Sequence, residues 1–218
     1  MVTLAIQLVW EAIIIASSGI VILATYFVRK QLQKQLRGKT MFFTGPEMAG
    51  KTTLINWITN NKMVKNYTPT TDKDTVVYKD EEHDFSITDM GGGVEFLETY
   101  GFDRLIREHD ITVFVFDVNR FLLDDKYRQE EVCDRLDFLW HMEKEIDNKK
   151  ILFIVGSHID FSQKNDNEVR KEIGDFLKGK DYAKLIVRYQ LFLADLTKEK
   201  EVKKIMNELK NRLKKEKQ

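Results

Sequence analysis

At 218 residues the chain has room for one domain of ordinary size plus an anchor or tail. Its 35 basic and 35 acidic residues cancel, which gives no support to a nucleic-acid partner. The single cysteine, Cys133, excludes an internal disulfide framework, and 11 glycines with 2 prolines argue against a long low-complexity linker.

Charge is almost absent from the first 28 positions. Residues 4–28, LAIQLVWEAIIIASSGIVILATYFV, carry only Glu11, and the charge-free run Ala12 to Val28 has 17 residues. With the turn before it, this is enough apolar helix to cross a hydrocarbon core of about 30 Å. Trp10 and Tyr26 stand near the two ends, as interfacial aromatics do. A cleaved signal peptide would want a basic start and a small-residue cleavage site, and neither is evident. Arg29, Lys30, Lys34, Arg37 and Lys39 follow the apolar run, and nothing basic precedes it. This asymmetry predicts a single span, with a short amino terminus outside or lumenal and the rest of the chain cytoplasmic. The expected organisation is an anchor over 1–28, a basic juxtamembrane linker or short helix over 29–38, and a globular domain over 39–218.

Beyond Lys39, apolar runs of strand length recur at Met41–Thr44, Thr75–Tyr78, Phe85–Asp89, Ile111–Val118, Ile151–Gly156 and Leu191–Ala194. Stretches of helical period lie at Lys51–Asn61, Asp103–His109, Tyr127–Asp147, Asn167–Lys178 and Glu199–Glu216. The alternation predicts an α/β fold with a mostly parallel six-stranded sheet and helices on both faces. The strands around 75–89 are separated only by a short polar turn and should form an antiparallel hairpin. Ile111–Phe116 is apolar throughout and reads as a central strand.

The first strand runs into Gly45-Pro46-Glu47-Met48-Ala49-Gly50-Lys51-Thr52-Thr53, which fits G-x-x-x-x-G-K-[ST] between a strand and a helix. In such a loop, glycines let successive backbone N–H groups close on phosphate oxygens, and the helix adds its positive end. Lys51 is expected to reach the β- and γ-phosphates and the Thr52 hydroxyl to bind Mg²⁺. The required metal carboxylate is Asp89, at the end of the strand FSITD. It opens the motif D-x-x-G, whose Gly92 is expected to give its N–H to the γ-phosphate.

Residues 89–93, DMGGG, together with AGKTT at 49–53, resemble the Arf-like branch of the Ras superfamily of small GTPases. The resemblance covers about residues 38–216 and implies a Ras-like P-loop NTPase fold that binds GTP or GDP with Mg²⁺. It also implies a switch-loop threonine completing the metal shell. Thr70, 19 positions before Asp89, has a spacing similar to the family's, with Thr68 and Thr71 as rivals in YTPTTD. The family's N-K-x-D base motif corresponds to Ser157-His158-Ile159-Asp160, where Asp160 is expected to accept from guanine and His158 to stack on the base. Its S-A-K motif matches only at Ala194.

Two departures bear on turnover and anchoring. The family's hydrolytic glutamine is replaced by Gly93, so intrinsic hydrolysis is expected to be slow, with Glu95 or a partner protein as other sources of the missing group. Val2 removes the myristoylation signal. A span ahead of an Arf-like domain is similar in architecture to the beta subunit of the signal recognition particle receptor.

These expectations describe a membrane-anchored switch, held by the bilayer through residues 4–28, that recruits a protein effector or co-subunit at its switch regions. A nucleotide-bound scaffold with little turnover is the alternative, and a P-loop ATPase the second. The histidines show no zinc-ligand spacing. Val202, Ile205, Leu209 and Leu213 mark the closing helix's buried face.

Overall fold

The computed structural model describes residues 22–59, 64–66, 75–80, 84–91, 101–145 and 150–215. Seven strands form one sheet: β1 (Thr40–Thr44), β2 (Val64–Asn66), β3 (Thr75–Asp80), β4 (Phe85–Met90), β5 (Ile111–Asp117), β6 (Ile151–Ser157) and β7 (Phe192–Leu193), in the order β2-β3-β4-β1-β5-β6-β7. Five of them, β4, β1, β5, β6 and β7, run parallel. The expected hairpin is present, with β3 antiparallel to β4 from Thr75↔Met90 to Asp80↔Phe85. Among the described residues the sheet has seven strands where the sequence predicts six. The extra one, β2, is only three residues long and leaves no alternation to read.

Alternation of side chains across the central strands divides the core into two layers. On one face Met41, Phe43, Val113, Val115, Phe153 and Val155 pack under helix α1 (residues 22–36), α2 (Lys51–Thr59) and α8 (Glu199–Lys215). On the other, Phe42, Phe114, Phe116, Leu152 and Ile154 are covered by five further helices. These are α3 (Phe102–Glu108), α4 (Val118–Leu123), α5 (Asp134–Glu145), α6 (Asp166–Phe176) and α7 (Ala183–Arg188). β5 is buried at every position, as a parallel strand covered on both faces must be.

The stretch Tyr127–Asp147, expected as one helix, opens with a π-helical segment at Tyr127–Cys133 before α5 takes over. The wider turn rotates the following residues about the axis. It accompanies a fully buried Arg135 whose Nη1 donates to Glu131 Oε2 at 2.8 Å and to the Glu131 carbonyl at 2.6 Å. α4 begins where the sequence reading ends a strand, because the Asp117 side chain accepts from the Arg120 N–H and caps a helix there.

α1 carries residues 29–36 in the same helix as 22–28. Leu32 and Leu36 are fully buried in the first core layer, and Gln33 Nε2 donates to the carbonyl of Ile58 in α2 at 2.9 Å. The other end exposes Ile22, Leu23, Tyr26 and Phe27. Among the described residues no helix is long and apolar enough to cross a membrane, and residues 4–21 of the expected span lie outside them.

Candidate functional site

The site lies at the carboxy-terminal edge of the parallel strands, where a doubly covered sheet opens. The turn after β1 folds back tightly. Gly45 adopts φ +135°, and a Cβ placed on it would stand 1.9 Å from the Val115 carbonyl oxygen in β5. Only glycine fits there. Met48 also takes a left-handed φ of 60°, an uncommon conformation for a side-chain-bearing residue and one found at ligand-clamping loops. Glu47 and Met48 are exposed, and Ala49 is buried.

Lys51 opens α2 and turns back over this loop. Its Nζ donates to the carbonyls of Gly45 at 2.7 Å and Pro46 at 2.8 Å. Burial holds the ammonium down to about 8, against the opposing pull of Asp89, with Arg135, Glu47 and Glu131 also within electrostatic reach. A cation so held is stabilised by an incoming phosphate, whose charge replaces the lost water. Thr52 and Thr53 follow on the exposed side of α2. The Thr52 hydroxyl donates to Asp89 Oδ2 at 3.1 Å, which joins α2 to the end of β4. An alcohol and a carboxylate oxygen brought together are the donor types that Mg²⁺ prefers, so the residues present fit the ion.

The loop is tied to the base side of the site by Ser157. Its hydroxyl lies 2.7 Å from the Ala49 carbonyl, 3.0 Å from that of Phe116, and 2.9 Å from His158 Nδ1. The sequence reading treats Ser157 as a loss of the family's asparagine, and the structure gives it this clamping position. His158 sits at φ 56° and stacks on Phe161 with ring centroids 6.0 Å apart, and its Nδ1 is 3.5 Å from Asp117 Oδ2. Asp160 stands exposed on the short 3-10 turn Ile159–Phe161.

The Ala194 N–H donates to the Gly156 carbonyl at 2.9 Å, continuing the β6–β7 ladder. Beyond it, Asp195 is buried, and its Oδ1 accepts from the Thr197 N–H at 2.9 Å and from the Thr197 hydroxyl at 2.6 Å. Its Oδ2 lies 2.9 Å from Lys198 Nζ. Burial alone would raise the Asp195 carboxyl, but the hydrogen bonds from Thr197 and Lys198 outweigh it and hold the group below its usual range. The sequence reading passes over this arrangement. The Asp-x-Thr turn ahead of a helix is its available signal.

The structure thus brings together Gly45, Glu47, Met48, Ala49, Gly50, Lys51, Thr52 and Asp89 at one end, with Ser157 fastening the His158–Asp160 turn behind them. Thr70 and its rivals Thr68 and Thr71 lie outside the described residues, as do Gly92, Gly93 and Glu95.

Phosphate recognition accounts for these pieces together and puts the chain among P-loop nucleotide-binding proteins. The family model described as 50S ribosome-binding GTPase matches residues 40–157, more than half of the chain, and the chain is a member of this GTPase family. No curated protein matches it. Many solved structures share the fold, two of which illustrate it. One is the ADP-ribosylation factor-like GTP-binding protein, or small COPII coat GTPase SAR1, of Encephalitozoon cuniculi in complex with GDP. It is 15% identical with a TM-score of 0.59, over 96% of this chain and 97% of that one. The other is a probable GTP-binding protein engB, 16% identical with a TM-score of 0.52, over 79% of this chain and 99% of that one.

Proposed function

We propose that this protein is a membrane-anchored guanine-nucleotide switch that binds GTP or GDP with Mg²⁺ and recruits a protein effector or co-subunit when the triphosphate is bound. The observation that carries the reading is the phosphate loop itself: Gly45 pressed against Val115, and a buried Lys51 lying on carbonyls that a phosphate would replace. Thr52 and Asp89 are the residues that would hold Mg²⁺, with Thr70 as the switch-loop candidate. The ion would neutralise charge on the β- and γ-phosphates.

Residues 4–28 hold the domain on the cytoplasmic face of a bilayer. The exposed Ile22, Leu23, Tyr26 and Phe27 of α1 support this, because they prolong the apolar run that precedes them. Gly93 in place of a glutamine favours slow hydrolysis. It also supports a second reading, a receptor or scaffold subunit in the manner of the signal recognition particle receptor's beta subunit, in which bound nucleotide maintains a docking surface and rarely turns over.

The test is the nucleotide that copurifies with the full chain extracted from membranes in mild detergent. Guanine nucleotide is expected, lost in Lys51→Ala, with the protein resisting alkaline extraction. An empty site or bound adenine nucleotide would overturn the guanine reading, and release by alkali would overturn the anchor. Hydrolysis measured with and without a captured partner separates switch from scaffold.

A further inference from the structure

The chain's charges cancel overall, yet they are unevenly spread. Residues 29–37 and 199–215 together hold 11 basic residues and 3 acidic ones, so the rest of the chain is net acidic. Folding puts these two stretches side by side. Leu32 and Leu36 of α1 share a core layer with Val202, Ile205, Leu209 and Leu213 of α8. Lys210 Nζ of α8 donates to Gln31 Oε1 of α1 at 3.1 Å and to Asn207 Oδ1 at 2.9 Å.

Helical spacing sorts the charges on each of the two helices, because residues three and four apart are neighbours on a helix surface. Leu23, Phe27, Lys30 and Lys34 form one outer row of α1, continued by Arg37 just past its end. The row is apolar at its start, with Leu23 and Phe27 each 60% exposed, and cationic at its close. On α8, Lys200, Lys203, Asn207, Lys210 and Lys214 form the row that leans toward α1. Glu201 and Glu208 lie on another flank, where Lys204 and Arg212 pair with them at 2.9 and 3.3 Å. Among the described residues Glu199 is the single acid in the lysine row, and Lys34, Arg37, Lys200, Lys203 and Lys214 make no ion pair. Burial, and then the neighbouring charge of Lys214, hold the Lys210 ammonium below its ordinary 10.5.

We propose that this α1–α8 face binds the anionic phospholipid headgroups of the bilayer that holds the chain. The inference rests on the anchor reading above and extends it: the nucleotide-binding domain lies with one defined face on the leaflet. Two features select a lipid surface over another polyanion. The α1 row passes from apolar to cationic in the order in which a helix leaving hydrocarbon meets headgroups. Phe27 and Lys34 are about 10 Å apart along the axis, comparable with the depth of one headgroup layer. The cations are also mostly lysines, compact charges on flexible stems spread along two rows, which suits a fluid array of phosphates better than one fixed ligand.

The test reconstitutes the full chain in lipid nanodiscs of phosphatidylcholine, with or without phosphatidylserine, and follows acetylation of individual lysines by mass spectrometry. Lys34, Lys203 and Lys214 are expected to react more slowly in the anionic discs by roughly fivefold, the scale of one cation's attraction to a charged leaflet. Salt at about 1 M should remove the difference, because it shortens the screening length to about 3 Å. The exposed Lys171 of α6, on the other side of the sheet, should react alike in both. In Lys203→Glu/Lys214→Glu the protection of Lys34 should be lost while the unfolding midpoint stays near that of the wild type. Equal reactivity in both discs, or slowing of Lys171 to the same degree, overturns the headgroup assignment and leaves the anchor intact. Equal protection by polyuridylate RNA added to phosphatidylcholine discs also overturns it, because the face would then be a general polyanion surface. A chain that enters neither disc overturns the anchor and the assignment together.

Discussion

The Ser157 hydroxyl meets the Ala49 carbonyl at 2.7 Å and so fastens the end of β6 to the middle of the phosphate loop, 108 positions earlier in the chain. One side-chain proton thereby couples the two halves of the nucleotide site. In Ser157→Ala the buried Ala49 carbonyl loses this partner, which costs about 1–3 kcal/mol. Thermal unfolding of the nucleotide-free protein should show that loss. GDP should also dissociate faster, because the loop it rests on is less well held. Unchanged stability and unchanged release would sever the link.

Gly45 tests the fit of the loop against β5. Gly45→Ala puts a methyl group 1.9 Å from a backbone oxygen that cannot move without breaking the sheet, and adds the left-handed strain of φ +135°. Overpacking of this kind costs about 1–3 kcal/mol or more. Nucleotide binding should be abolished. Gly179→Ala is the control. It shares a positive φ of 80° but has nothing within 4 Å, so it should lose only about 1–2 kcal/mol and bind normally.

Lys51 predicts an alkaline limit to nucleotide affinity. In the free protein its ammonium titrates at about 8, so the positive charge is present below that pH and lost above it. Phosphate binding restores the charge by taking up a proton, and GDP affinity should fall as pH rises from about 8 to 10, by at most about tenfold per pH unit. Stability of the nucleotide-free fold should move the other way in this window. The unfolded lysine, titrating at its ordinary 10.5, then holds the proton that the folded one has released. Lys51→Ala should bind weakly with no such slope. A sloping profile in that variant would assign the effect to another group.

His109 predicts an acid limit to the fold. Its Nδ1–H donates to the Leu105 carbonyl at 2.7 Å, and its Nε2 accepts from the Thr88 hydroxyl at 2.7 Å, next to Asp89. Burial pushes this histidine below its ordinary 6.5. Below 6.5 the unfolded chain takes up a proton that the folded one resists, so stability should fall as pH drops from there. Denaturant midpoints for His109→Gln should show a shallower decline between pH 6.5 and 5 than the wild type.

Leu32 tests whether α1 belongs to the nucleotide-binding fold. Leu32→Ala empties a fully buried position in the layer that also holds α2, and should cost about 2–5 kcal/mol. Gln33→Ala should add a smaller loss by stripping a partner from the Ile58 carbonyl. Phe27→Ala, on the exposed part of the same helix, should leave the unfolding midpoint nearly unchanged.

The phosphate end was legible because its signals are local. Glycines at fixed offsets, a lysine and a hydroxyl lie within nine consecutive residues between a strand and a helix, and Asp89 ends its strand in a short motif. Helices α2, α6 and α8 announced themselves by period, and β5 by its unbroken apolar run. What escaped depends on distant partners. Ser157 looked like a missing asparagine until its hydroxyl met a carbonyl in another loop. Asp195 looked like a missing lysine until Thr197 and Lys198 closed round it. The three residues of β2 borrow their order from β3, and α4 hid behind the apolar Val118 because its signal was the cap Asp117 rather than its period.

The path of α1 carries a mechanical consequence. Its outward-facing Ile22, Leu23, Tyr26 and Phe27 and its inward-facing Leu32 and Leu36 sit on one unbroken rod, with no joint between them. Gln33 bolts that rod to the far end of the very helix that Lys51 begins. A surface that gripped the outer stripe would therefore set the tilt of the nucleotide-loop edge. Torque applied at one end is delivered to the other instead of being absorbed along the way.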